Sequence, residues 1–238
     1  MNPLISSFSN TFKDKLTVEI KAVQANTNTY FTLDGSMPDR QSTIYTSSLS
    51  IDSSTTIQAI AMDNKGNTSK VVTAHYYKML HPDWKIKIQS QYSKQYSAGG
   101  DEGIIDGIRG DANWKKGNWQ GYQGQDFDCV IDMGKEQKVS NVGAGFLQDT
   151  RAWILMPLQA EFSFSSDSVH FSDPVIIKNT VDPKDLTEQV KDFTQAISPV
   201  KARYVKVKAV NFGKLPEWHQ GYPYNGDAYI FVDEILVE

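Results

Sequence analysis

The sequence contains one cysteine, Cys129, so no intrachain disulfide can form and compactness must come from packing or from a bound ion. Basic runs are also missing. With a net charge of −4 and no cluster of Lys or Arg, the chain lacks the electrostatic footprint of a nucleic-acid partner, and loops of this kind do not suit an anionic membrane surface. No stretch reaches the roughly 20 consecutive apolar residues of a membrane helix. The opening MNPLISSFSN has neither the basic start nor the apolar core of a secretory signal, so any such signal is expected upstream of Met1. Histidine is scarce as well: His75, His81, His170 and His219 are scattered and form no ligand pair, which with one cysteine excludes a zinc site of the usual spacing. An α/β-barrel requires about 250 residues of alternating strands and helices, and this pattern is absent.

What is present is period-two alternation. LTVEIKAV (16–23), TYFTL (29–33), TTIQAIAM (55–62) and KVVTAHYY (70–77) read as strands, separated by the turn formers LDGSMPD and MDNKGN. A proline-containing HPDW at 81–84 precedes a new alternating run, WKIKIQSQY, which sets the expected domains at 1–79 and 80–238. In the second, strands are expected at 127–133, 139–146, 158–165, 174–178, 202–210 and 228–237. DPKDLTEQV at 182–190 has too few apolar positions for a packed helix and reads as loop. The N-terminal NPLISSFSNTF reads as a linker. The expected fold class is all-β, a small sandwich followed by a jelly-roll-like sandwich.

The string YFTLDGSMPDRQSTIYTSSLSIDSSTTIQAIAMDNKGNTS, with its T-x-D-G-S-x-P and S-x-x-Y-T elements, resembles the small immunoglobulin- or fibronectin-like domain behind the catalytic barrel of bacterial β-N-acetylhexosaminidases and chitobiases. Leu33 stands where the commoner residue is a second threonine. IIDGIRGDANW (104–114), CVIDMGKEQKVSNV (129–142), AEFSFSSDSVHF (160–171), ARYVKVKAV (202–210) and the closing DEILVE resemble the discoidin family, also called coagulation factor 5/8 type C or carbohydrate-binding module family 32. YSAGGDEGIIDGIRG, NWQGYQGQDFD and GAGFLQDTRAWILMP are similar to the tails of family 20 β-N-acetylhexosaminidases of gut Bacteroidetes. The resemblance implies a non-catalytic accessory region of a secreted, periplasmic or surface hydrolase. Its partners would be glycans of galactose or N-acetylhexosamine type and the parent catalytic domain, with no nucleic acid and no membrane. The competing reading is a packing or dimerisation module that binds no sugar.

Two groups of site residues follow. Family correspondence implies a structural calcium held by Asp106, Asp111, Asp233 and Glu234 with backbone oxygens of Gly103 and Ile108. A hard cation takes six to eight oxygens, and such carboxylates would repel one another without it. Ile108 and Asp111 depart from the family's usual residues at those positions. For sugar recognition, an aromatic ring face and nearby polar groups are required. Trp119, Tyr122, Arg151, Trp153, Trp218, His219, Tyr222, Tyr224 and Asn225 lie in loops that carry both, and the 217–229 segment is the preferred contact. The same rings serve equally as anchors packed beneath their own loops, the reading favoured for Trp84 and Trp114. No catalytic residue is assigned. The pairs Asp126/Asp128 and Asp233/Glu234 do not by themselves form the acid/base arrangement of a glycosidase.

Overall fold

The computed structural model describes residues 2–22 and 27–238, which divide into two compact units, Met1–Leu80 and His81–Glu238. Among the described residues every regular element is a β-strand or a short 3-10 turn, and no helix is long and apolar enough to cross a membrane.

The first unit holds β1 (Leu4–Ser7), β2 (Thr11–Phe12), β3 (Leu16–Lys21), β4 (Thr27–Thr32), β5 (Thr43–Ile44), β6 (Leu49–Ile51), β7 (Thr55–Asp63) and β8 (Val72–Lys78). A three-stranded sheet, β1-β3-β6, faces a five-stranded one, β2-β8-β7-β4-β5. The alternation in β3 works as two-residue periodicity requires: Leu16, Val18 and Ile20 point inward, and Thr17, Glu19 and Lys21 outward. The inward set meets Phe31, Ile57, Ala59 and Tyr76 in one core. The tight reversals use Gly35 and Gly66 at positive φ, as their turn sequences demand. Val23, the end of the first expected strand, lies outside the described residues. The N-terminal segment read as a linker is instead β1 and β2. β1 pairs antiparallel with β3, Ile5 opposite Ile20, in a run too short and polar for periodicity to reveal.

The second unit holds β9 (Lys85–Ile88), β10 (Gln120–Gln123), β11 (Phe127–Gln148), β12 (Gln159–Ser165), β13 (Val175–Lys178), β14 (Gln189–Ala209) and β15 (Tyr229–Val237). β11 and β14 are long enough to belong to both layers of the sandwich. Their first-layer halves pair Phe127 with Ala209 through Asp132 with Tyr204, flanked by β9 and by β12-β13. The other halves pair Asn141 with Ala196 through Gln148 with Gln189, and β15 and β10 extend that layer. Register shifts between Asp132/Gln137 and Val139/Asn141 mark where the strands bend across. Phe127, Cys129, Ile131, Val142, Phe146, Phe162, Val205, Val207 and Val232 fill the space between layers. Burial pushes the Cys129 thiol up, leaving it a small apolar filler.

The expected strands 127–133 and 139–146 are one continuous element. The first half of β14 was not expected, because QVKDFTQAISPV is largely exposed and polar and shows no apolar alternation. The 182–188 segment is loop, as read from sequence.

Candidate functional site

Three loops of the second unit are fastened together, chiefly by the buried side chains of Gln148, Thr150 and His219. At the end of β11, Gln148 Nε2 donates to the carbonyls of Asp182 (2.9 Å) and Asp185 (3.1 Å). The Thr150 hydroxyl lies 2.9 Å from the Asp185 carbonyl and 3.1 Å from that of Pro183. His219 joins the third loop. Its Nε2 is 2.7 Å from the Thr150 carbonyl, and its Nδ1 accepts the Gly221 N–H at 2.9 Å, an arrangement that fixes the neutral tautomer with the proton on Nε2. Gln220 Nε2 adds a bond to the Arg151 carbonyl at 2.8 Å.

The fastened loops enclose a groove of about 400 Å³ lined by Thr150, Arg151, Lys184, Leu186, Trp218, His219 and Gln220. This size suits one or two sugar rings. Trp218 is 40% exposed and lines the groove, so part of its indole is open to a ligand. Lys184 Nζ lies 5.7 Å from that ring's centroid, within cation–π range. The lining contains two cations and no carboxylate. It therefore offers a hydrophobic platform with donors around it, and no acid/base pair for bond cleavage.

Of the residues singled out from sequence, Arg151, Trp218 and His219 meet in this groove. Tyr222 and Tyr224 are exposed on the same loop, and Asn225 takes a left-handed turn conformation there, but none of the three lines the groove. Trp153 is half-buried and also left-handed (φ 67°), held by its N–H to the Thr150 carbonyl and by the Tyr229 N–H to its own carbonyl. Its indole is the floor beneath the 217–225 loop. A Cβ at Gly221 or Gly226 would come within 2.9 Å or 2.8 Å of it, which is why glycine stands at both positions.

Trp119 and Tyr122 correct the expectation. Trp119 is 1% exposed, packed on Leu147, Ile154 and Phe231 with its Nε1 donating to the Asp111 carbonyl. Tyr122 is wholly buried, its hydroxyl 2.6 Å from Gln120 Oε1. Both lie on or beside β10, whose inward face belongs to the core, so neither has a ring face for a sugar. Trp84 is buried in the main core, and Trp114 is half-buried against Tyr96 and Phe231. Lys184, Leu186, Thr150 and Gln220 escaped the sequence reading. The only signal for Lys184 was its position in a loop without apolar periodicity.

The expected metal ligands divide. Asp106 and Glu234 face each other in the interior. Burial, then the neighbouring Asp106 charge, pushes the Glu234 carboxyl up to about 9, and burial pushes Asp106 up to about 6. Gly107 N–H donates to Glu234 and Ile108 N–H to Asp106. Asp111 is exposed and turned away, ion-paired to Lys116 and accepting the Asn113 N–H. Asp233 is also diverted: its Oδ2 accepts from Arg109 Nε at 2.9 Å and from Gly110 N–H at 2.8 Å, so it neutralises arginine. Gly103 is buried beside the Ala98 carbonyl. Among the described residues no group of three or more His, Cys, Asp or Glu side chains converges as a metal cage. The donor set that remains, two buried carboxylates, is all oxygen and so of the kind a hard cation takes rather than a transition metal. Asp126 and Asp128 are ion-paired to Lys208 and Lys206 on the sheet surface.

Two family descriptions match the chain. Residues 8–73 match the chitobiase/beta-hexosaminidase C-terminal domain, and residues 85–226 match the F5/8 type C domain. No curated protein matches. Among solved structures, the chain is similar to the CBM32-1 module from a family 31 glycoside hydrolase of Clostridium perfringens, at 18% identity and a TM-score of 0.42, covering 67% of this chain and 96% of that one. It is also similar to a CBM32 module of Clostridium perfringens in complex with GalNAc-β-1,3-galactose, at 16% identity and a TM-score of 0.43, covering 67% and 97%. The lectin domain of lectinolysin, complexed with Lewis B antigen, matches at 11% identity and a TM-score of 0.43, covering 67% and 95%.

Proposed function

The chain belongs to the F5/8 type C domain family, matched over residues 85–226, and from that membership we propose that its second unit binds carbohydrate in the groove lined by Arg151, Lys184, Trp218 and His219. The observation that carries this reading is the exposed Trp218 indole at a groove whose walls are fixed by buried hydrogen bonds. An aromatic face covers the apolar side of a pyranose, while Arg151, Gln220 and Lys184 supply donors to its oxygens. The buried His219 acts through position, holding the Trp218 loop against the Thr150 turn. Galactose and N-acetylhexosamine glycans are the sugar class we assign.

The wider role we assign is that of a non-catalytic accessory region of a secreted, periplasmic or surface-attached β-N-acetylhexosaminidase of glycoside hydrolase family 20, of the kind found in Bacteroidetes. The chitobiase/beta-hexosaminidase C-terminal match preceding the F5/8 type C match supports this parentage. We further assign calcium to the Asp106–Glu234 pair, with backbone oxygens of the 103–108 loop completing its shell. There the ion would neutralise two buried carboxylates and tie that loop to β15.

Calorimetric titration of the whole chain with galactose, N-acetylgalactosamine and N-acetylglucosamine tests the carbohydrate reading. Saturable heat that Trp218→Ala abolishes supports it. Absence of heat with every sugar, together with loss of parent-enzyme stability on deleting these residues, would establish the packing-module reading instead.

A further inference from the structure

We infer that the groove selects glycans carrying an anionic group, a sulfate ester or a carboxylate, over their neutral counterparts. This rests on the carbohydrate reading above and specifies the ligand class of the same site.

The chain as a whole is acidic, yet the groove is cationic. Arg151 and Lys184 both line it, both are exposed, and no carboxylate shares the lining. Several cations elsewhere in the unit are ion-paired, Arg109 to Asp192 and Asp233, Lys116 to Asp111, Arg203 to Asp132, Lys208 to Asp126 and Lys214 to Asp227, while other surface lysines among the described residues are not. Among the described residues neither Arg151 nor Lys184 makes such a pair. The acidic neighbours of Lys184 are turned into their own loop, where Asp182 accepts the Lys184 N–H and Asp185 accepts the Thr187 N–H and Gln189 Nε2. Asp149, beside Arg151, accepts from Trp114 Nε1 and Ala152 N–H.

The placement of Lys184 gives the selection its mechanism. Its ammonium lies near the face of Trp218, the surface on which a sugar ring would stack. A neutral sugar entering that space displaces the ammonium from the ring and offers it only hydroxyls. An acidic sugar gives the same ammonium a charge-assisted hydrogen bond, and the Arg151 guanidinium on the same lining presents a planar donor fork suited to sulfate or carboxylate oxygens. Support from Gln148, Thr150 and His219 holds the loops that carry the two cations and Trp218 at one groove, so a ligand that joins an anion to a sugar ring can engage all three.

The test is titration of the full chain with four probes, N-acetylglucosamine, N-acetylglucosamine 6-sulfate, galacturonic acid and inorganic sulfate, at low and at high salt. The expected result is that one acidic sugar binds about tenfold more tightly than the neutral one, the scale of two solvent-facing ion pairs. That advantage should shrink with added salt. Lys184→Gln and Arg151→Gln should each bring the acidic-to-neutral ratio towards one, and Lys184→Arg should keep it. Both residues are exposed, and melting curves check that the variants fold. Which acidic sugar binds tells sulfate from carboxylate. Equal binding of neutral and acidic sugars overturns this inference and leaves the carbohydrate reading standing. Inorganic sulfate binding as tightly as the sulfated sugar overturns it in favour of a plain anion site. No binding by any sugar removes both.

Discussion

Trp119 and Trp218 are the same residue type in loop-rich segments of one domain, and their surroundings give them opposite uses. Trp119 fills a satellite core with Leu147, Ile154 and Phe231, so Trp119→Ala should cost about 3–5 kcal/mol in urea unfolding. Trp218→Ala removes an exposed ring. It should change stability by no more than about 0.5 kcal/mol while eliminating most glycan affinity in the same preparation. A glycine position is equally constrained. A Cβ at Gly145 would lie 2.1 Å from Asp233 Oδ1 and 2.6 Å from an Arg109 guanidinium nitrogen, so Gly145→Ala drives a methyl group into an ion pair whose carboxylate is buried. We expect a loss of about 1–3 kcal/mol, read from the denaturation midpoint; an unchanged midpoint would show that the pair is free to move aside.

Elements matter through what joins their ends. Thr150 fastens the turn after β11 to the 182–186 loop, and Thr150→Val keeps its shape while leaving the Pro183 and Asp185 carbonyls without that donor. The expected outcome is a stability loss of about 1 kcal/mol and weaker glycan binding, because Lys184 and Leu186 are no longer held at the groove. At the other end of the unit, Asp106 and Glu234 join the 103–110 loop to β15. Both carboxyls are raised above their ordinary range, so between that range and about pH 9 the folded protein binds more protons than the unfolded chain. Without a cation, the contribution of this pair to stability is fully present below about pH 4 and is lost as pH rises through that window. Melting curves in chelator across this interval should show the fall, and calcium should remove it by favouring the ionised pair. A flat profile in chelator would show that the two carboxylates do not meet in solution.

At the scale of the whole molecule, each unit has its own core, Val18, Ile20 and Ile57 in one and Phe127, Phe146 and Phe162 in the other. A fragment of residues 81–238 should therefore fold alone and keep the full chain's glycan affinity, measured by circular dichroism and titration. The all-β class and the alternating inward faces of β3 and of the first half of β11 were legible in sequence. Period two and turn chemistry act over neighbouring residues, and a buried face must be apolar wherever it ends up. The first half of β14 and the short β1 were not legible, because they are mostly exposed and carry no such alternation. The site was legible only as residue types. Sequence marked Trp119, Tyr122, Trp153 and Trp218 alike as loop aromatics, since nothing local distinguishes a ring that anchors a loop from one that faces solvent. Only the tertiary structure separated them. It buried Trp119 and Tyr122 in the cores beside β10, laid Trp153 under Gly221 and Gly226, and left Trp218 partly open. It alone brought Lys184 to Arg151 as well, through hydrogen bonds from Gln148 and Thr150 more than thirty positions away. Local order follows from the chain's own neighbours, whereas the groove depends on which loops are fastened together across distant parts of the chain.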